Sequence, residues 1–117
     1  MCTKKVLVID DEADFGLLLK AYFSKKGYEV YLSNTLADGM KLLNETKPDF
    51  LFLDNNLPDG LGWDETEFII ENYPSLQINL ISAYRYDVPK QINPKTVQIW
   101  EKPIDLTDLN GYFASSI

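Results

Sequence analysis

Five short apolar runs divide the 117-residue chain, and the segments between them switch to helical spacing. This alternation constrains the fold more than any other feature. The first run, KVLVID, is continuous rather than alternating, as expected of a strand covered on both faces. The segment EADFGLLLKAYFSKKG then places Phe15, Leu18, Leu19, Tyr22 and Phe23 on one helical stripe, with Gly27 as a C′ residue. YEVYLS reads as strand two. TLADGMKLLNET reads as a helix with Leu36, Met40 and Leu43 inward, capped by Thr35 or Asn34, and Pro48 prevents its continuation. FLFLD is strand three, and GWDETEFIIENY is a helix that stops before Pro74. QINLIS and VQIW are strands four and five, and DLTDLNGYFASS is a short last helix.

The order is therefore βαβαβαβ, one irregular link, then βα. Such alternation predicts an α/β sandwich of three layers, with a five-stranded parallel sheet, helices on both faces and right-handed crossovers. The irregular link is AYRYDVPKQINPKT. Pro89 and Pro94 cannot both sit inside one regular helix, so the fourth helix is expected to be short, one or two turns capped by Asp87. With no repeat, low-complexity tract or linker, residues 1–117 read as one domain with a single core.

Composition excludes several chemistries. There is no histidine, which removes Ser-His and Cys-His catalysis and the commonest metal ligand. The one cysteine, Cys2, cannot form an internal disulfide and fits a reducing cytosol, so a cytoplasmic location is expected. MCTKKVLVID has too short an apolar run before its aspartates to be a secretory signal, and no run is long enough to cross a bilayer. Net charge is −7, Arg85 is the one arginine and the lysines are scattered, so direct nucleic-acid binding is not expected. Chemistry in this chain must run on carboxylates, hydroxyls and lysine.

Those groups sit at the strand ends. In open α/β sheets, sites form beyond the C-terminal ends of the strands, where strand order reverses. Strand one ends in Asp10 and Asp11 with Glu12 next, strand three in Asp54, strand four in Ser82, and strand five leads to Lys102. Taken singly, each has an ordinary explanation: helix capping for the acid pair, an Asx turn into Pro58-Asp59-Gly60 for Asp54, a loop hydroxyl, a solvated cation. Strand two also ends in a hydroxyl, Ser33. If the order is 2-1-3-4-5, however, the acids of strands one and three converge. Two unit charges about 4 Å apart repel by roughly 4 kcal/mol at an effective dielectric near 20, so a proton or cation must relieve them. Mg²⁺ suits such oxygen ligands, with Asp11 and Asp54 direct and Asp10 acting through water. A metal ion, a carboxylate, a lysine and a hydroxyl meet the needs of phosphoryl transfer, with Asp54 as nucleophile, Lys102 offsetting phosphoryl charge and Ser82 donating a hydrogen bond.

VLVIDDE, LFLDNNLPDG, LISA and EKP, in this order and at these strand ends, together resemble a response-regulator receiver domain of two-component signal transduction, of the chemotaxis-regulator kind. The resemblance covers essentially the whole chain. It implies a flavodoxin-like (βα)5 fold with strand order 2-1-3-4-5, Asp54 as phosphoacceptor, Asp10 and Asp11 as the acidic pair, and Ser82 and Lys102 as the switch hydroxyl and the lysine. It also implies that the backbone carbonyl of Asn56 completes a Mg²⁺ shell, that the Asn56 and Tyr84 side chains tune reaction rates, and that the Lys102–Pro103 bond is cis. The chain departs from the family at Ile99, where an aromatic residue is usual three before the lysine. Trp100 falls one position later, on the opposite face by strand alternation. Asn55 is polar where the family more often has an apolar residue.

The function implied is a phosphoprotein in a phosphorelay, taking a phosphoryl group from a histidine kinase or phosphotransfer protein and catalysing only its own modification. Its output is an unknown partner or an effector domain beyond Ile117, and a weak homodimer through the last helix and strand is a further alternative. Two other readings compete. An aspartate-nucleophile phosphatase of the haloacid-dehalogenase kind wants an Asp two residues after its nucleophile, where Asn56 stands here. A receiver-like docking domain would not bind Mg²⁺.

Overall fold

The computed structural model describes residues 4–82, 97–102, 104 and 106–113, with Ser82 and Tyr112 described by their backbone alone. The irregular link of residues 83–96, including Tyr84 and the fourth helix, lies outside the described residues, as do Pro103 with its peptide bond and the end of the last helix.

The sheet strands are β1 (Lys5–Ile9), β2 (Glu29–Ser33), β3 (Phe50–Asp54), β6 (Gln77–Ser82) and β7 (Val97–Glu101), in the order β2-β1-β3-β6-β7. Every pairing in this sheet is parallel. It is the expected 2-1-3-4-5 order. A short antiparallel pair, β4 (Asn56–Leu57) with β5 (Gly60–Leu61), folds the Pro58-Asp59 turn back on itself after β3.

Strand alternation sorts the core into two layers. Leu7, Ile9, Leu51, Leu53, Ile78, Leu80 and Val97 face α2 (Leu36–Thr46) and α3 (Thr66–Asn72). Val6, Val8, Phe50, Phe52 and Ile81 face α1 (Ala13–Lys25) and α4 (Leu106–Phe113). Phe23 is fully buried in this second layer, edge-on to Phe113 at 5.1 Å and tilted against Phe52 at 5.8 Å. Tyr22 joins the two helices directly, its hydroxyl donating to Asn110 Oδ1 at 2.9 Å.

The expected helix signals operate. Thr35 caps α2 by accepting from the Asp38 amide. Gly27, at φ +84°, ends α1 in a Schellman turn: its amide bonds Ser24 O and that of Tyr28 bonds Phe23 O. The third helix differs from expectation in its first turn. Gly62–Glu65 is a 3₁₀ turn, and regular α-helix begins only at Thr66. The cause is tertiary. Gly62 and Trp63 are drawn onto the end of β3, where the Gly62 amide donates to Asn55 O (2.9 Å), the Trp63 amide to Asn55 Oδ1 (3.2 Å) and the indole to Leu53 O (3.3 Å).

Candidate functional site

β1 and β3 are adjacent and in register, Ile9 opposite Leu53, so the residues just beyond those partners emerge side by side at the C-terminal ends of the strands. Asp10 and Asp54 are both buried, at 6% and 4% exposure, whereas Asp11 is exposed. One carboxylate oxygen from each of Asp10, Asp11 and Asp54 lies within 4.8 Å of the others. The backbone holds Asp10 firmly: its amide donates to Ser33 O, and its Oδ1 accepts from the Glu12 amide at 2.8 Å.

Lys102 reaches in from the end of β7. Its Nζ is 3.0 Å from Asp10 Oδ2 and 4.0 Å from Asp54 Oδ1, and it donates to Glu12 Oε1. The ammonium also lies 5.2 Å from the centre of the Phe15 ring. Asp10 Oδ2 is buried, and this ammonium is the cation that faces it. Ser82 ends β6, one residue beyond the partner of Asp54; its side chain lies outside the described residues.

The electrostatics follow from burial. Asp54 is pushed up to about 6, first by loss of solvent and then by the charge of Asp10, with Lys102 opposing. Asp10 is also raised by burial, against the Glu12 amide and Lys102. Burial pulls Lys102 down, but its bonds to Glu12 and Asp10 and the charge of Asp54 outweigh that and leave it above its ordinary value.

Sequence reasoning passed over four positions that build the site. Glu12 entered it only as one more acid, not as the partner of Lys102. Gly62 is required by close approach: a Cβ there would stand 2.2 Å from Asp54 O. Asn55, noted as a departure, uses its side chain to anchor Trp63. Asp59 accepts from the amides of Leu36 and Ala37 at 2.7 and 2.9 Å, tying the loop after β3 to the start of α2. A Gly followed by an acidic helical first turn was a visible cue for Gly62. Nothing local pointed to the other three.

The donor set fits a hard divalent cation. Three carboxylates compete for one small volume, two of them are raised by burial, and one ammonium, that of Lys102, stands against them. Octahedral Mg²⁺ with bonds of about 2.1 Å keeps several waters, so it does not require all three acids to bind directly.

A family model described as the response regulator receiver domain matches residues 6–113. The chain belongs to this family. The match runs from β1 to the end of α4, so it takes in every element of this receiver domain's sheet. The response regulator protein PilR of Pseudomonas aeruginosa is 27% identical over an alignment covering 100% of this chain and 27% of that protein. The aligned segments cover 27%, 32% and 43% of the length of three curated relatives, so the chain matches less than half of each. A two-component response regulator from Clostridium difficile superposes with a TM-score of 0.83 at 23% identity, covering 97% of this chain and 94% of its own. The response regulator protein TrrA from Thermotoga maritima, in complex with Mg(2+)-BeF, superposes with a TM-score of 0.78 at 21% identity, covering 97% and 98%. These two likenesses show that the receiver domain shares their flavodoxin-like fold. Ile99 packs in the layer under α2 and α3, while Trp100 turns to the opposite layer and stacks on Phe113 at 6.3 Å. The aromatic residue near the lysine is therefore a packing residue of the α4 face.

Proposed function

We propose that Asp54 accepts a phosphoryl group from the phosphohistidine of a partner histidine kinase or phosphotransfer protein, or from a small phosphodonor. The observation that carries this reading is the convergence of the Asp10, Asp11 and Asp54 oxygens within 4.8 Å, with the Lys102 ammonium 4.0 Å from Asp54. An Asp54 oxygen forms a bond to phosphorus as the donor's P–N bond breaks. The departing imidazole takes up a proton, and a mixed anhydride is left on the protein. Asp54 must be ionised to attack, and with its carboxyl pushed up to about 6 it is mostly ionised at neutral pH. Asp10, Asp11, Asp54 and the Asn56 carbonyl would hold Mg²⁺, which when bound neutralises charge on the phosphoryl oxygens. Lys102 offsets part of the same charge, and the Ser82 hydroxyl donates to one oxygen.

The domain catalyses only its own phosphorylation and dephosphorylation, and its product is a signal read by an output partner or an attached effector domain. Among the described residues no helix is long and apolar enough to cross a membrane, which accords with a cytoplasmic relay. The test is intact-mass spectrometry after incubation with a small phosphodonor and Mg²⁺. One phosphoryl group is expected on the wild type and none on Asp54→Asn; equal labelling of the variant would move the acceptor elsewhere.

A further inference from the structure

Glu12 occupies the N-cap position of α1, yet its side chain makes no capping hydrogen bond. The short carboxylate of an aspartate at a helix start ordinarily turns to the free amides of the first turn, whereas glutamate, one carbon longer, is not among the usual caps and can reach elsewhere. This one instead turns across the site to Lys102, forming an ion pair between an exposed acid and an ammonium that is largely shielded, at 16% exposure. The consequence is a division of the Lys102 charge. The ammonium contacts Asp10 and Glu12 and sits over the Phe15 ring, while Asp54 is the farthest of the three acids it pairs with, at 4.0 Å. Asp10 is buried and fixed through its own backbone contacts, whereas Glu12 reaches Lys102 by a flexible side chain open to solvent.

We infer that Glu12 is a positioning residue that parks Lys102 in the resting state and competes with the phosphoryl group for its ammonium. The inference rests on the reading of Asp54 as phosphoacceptor. An anion arriving at Asp54 must draw Lys102 from Glu12, so the strength of this pair sets part of the affinity of the site for phosphoryl-like anions. Glu12 is thus placed to tune how readily the domain is modified, without touching the reacting atoms.

The test measures beryllofluoride affinity at saturating Mg²⁺ for the wild type, Glu12→Gln and Glu12→Asp. A partly exposed ion pair of this kind corresponds to a change of about 1.5- to fivefold. Glu12→Gln removes the charge and is expected to tighten binding by that factor. Glu12→Asp keeps the charge but shortens the reach and favours capping of α1, so it too is expected to tighten binding. If Glu12→Asp binds like the wild type while Glu12→Gln tightens, the effect is merely the local field and the parking role is wrong; no change in either variant also overturns it. The second readout is made on the resting protein without ligands: the proton exchange rate of the Lys102 ammonium by NMR. Slow exchange in the wild type that quickens in both variants supports the pair. Identical exchange in all three overturns it, whether or not beryllofluoride binds. Failure of the wild type to bind beryllofluoride, with ammonium exchange as expected, would count against Asp54 as phosphoacceptor and leave the Glu12–Lys102 pair standing.

Discussion

The indole Nε1 of Trp100 donates to Oδ1 of Asn79 at 2.9 Å, and Asn79 in turn donates from Nδ2 to Leu51 O at 3.2 Å. Asn79 is 1% exposed in the middle of β6, a place where an amide without partners would be costly. The two bonds satisfy it and tie three strands together: β3 three residues before Asp54, β6, and β7 two residues before Lys102. The same indole stacks on Phe113, so α4 and the strands that carry the site share one side chain.

Trp100→Phe keeps an aromatic ring but leaves the buried Asn79 oxygen without its indole donor. Orphaning such a group costs about 1–3 kcal/mol, which urea denaturation would read as a lowered midpoint with an unchanged slope. The double variant Asn79→Leu with Trp100→Phe is expected to lose less than the sum of the single changes, because the pair fails together. Strict additivity would show that the bond carries little.

The acid cluster makes stability depend on pH with an unusual sign. Asp54 is raised from its ordinary 3.8 to about 6, so in that window the folded state binds the proton that the unfolded chain has released. Without metal, thermal stability is therefore expected to fall as pH rises through that window, and Asp10, also raised, acts in the same sense. Asp59 behaves oppositely. Its hydrogen bonds from Ala37 and Leu36 hold it below 3.8, so the stability it contributes is present above that value and lost as pH falls below it. Millimolar Mg²⁺ should reverse the loss at neutral pH, and a concentration 100-fold above Kd adds about 2.7 kcal/mol. Asp54→Asn should raise the metal-free melting temperature at pH 7 and flatten its fall with pH. A metal-free melting temperature that climbs steadily from pH 4 to pH 7 would contradict the burial of these carboxylates.

Gly62→Ala is expected to damage the acceptor strand from behind. The added methyl would meet Asp54 O at 2.2 Å and Leu53 Cδ1 at 2.9 Å, so either the 3₁₀ turn lifts away or the end of β3 shifts. Overpacking of this kind costs about 1–3 kcal/mol. The check is a thermal melt together with the yield of the phosphodonor reaction, both lowered; an unchanged yield would mean that the Gly62–Asn55 clamp does not position Asp54. Gly111, inside α4, where a Cβ would meet nothing within 4 Å, serves as the control: Gly111→Ala is expected to leave the yield at wild type and to hold or raise the melting temperature, since alanine suits a helix interior better than glycine.

Much of the architecture was legible because burial writes itself into strand and helix periods. The continuous runs at Val6–Ile9 and Phe50–Leu53 announce strands covered on both faces, and the Phe15, Leu19, Tyr22, Phe23 stripe announces the helix over them. The third helix was read too early, since nothing in GWDE reveals that Trp63 will bond Leu53 O and tighten the turn. The acids were legible too, since each stands where an apolar run stops.

What the sequence determined by itself was the list of groups available and the edge of the sheet on which they stand. A chain without histidine, with Asp10, Asp11 and Asp54 ending its strands, could place nothing but carboxylates, hydroxyls and lysine there. Only the tertiary structure decided which groups touch: that Glu12 turns from its own helix to Lys102, that Asp59 caps α2 from another loop, and that Gly62 presses on the carbonyl of Asp54. The physical reason is range. Periodicity and capping act over a few residues and leave a local trace, whereas an ion pair between residues 12 and 102 depends on the packing of every strand between them.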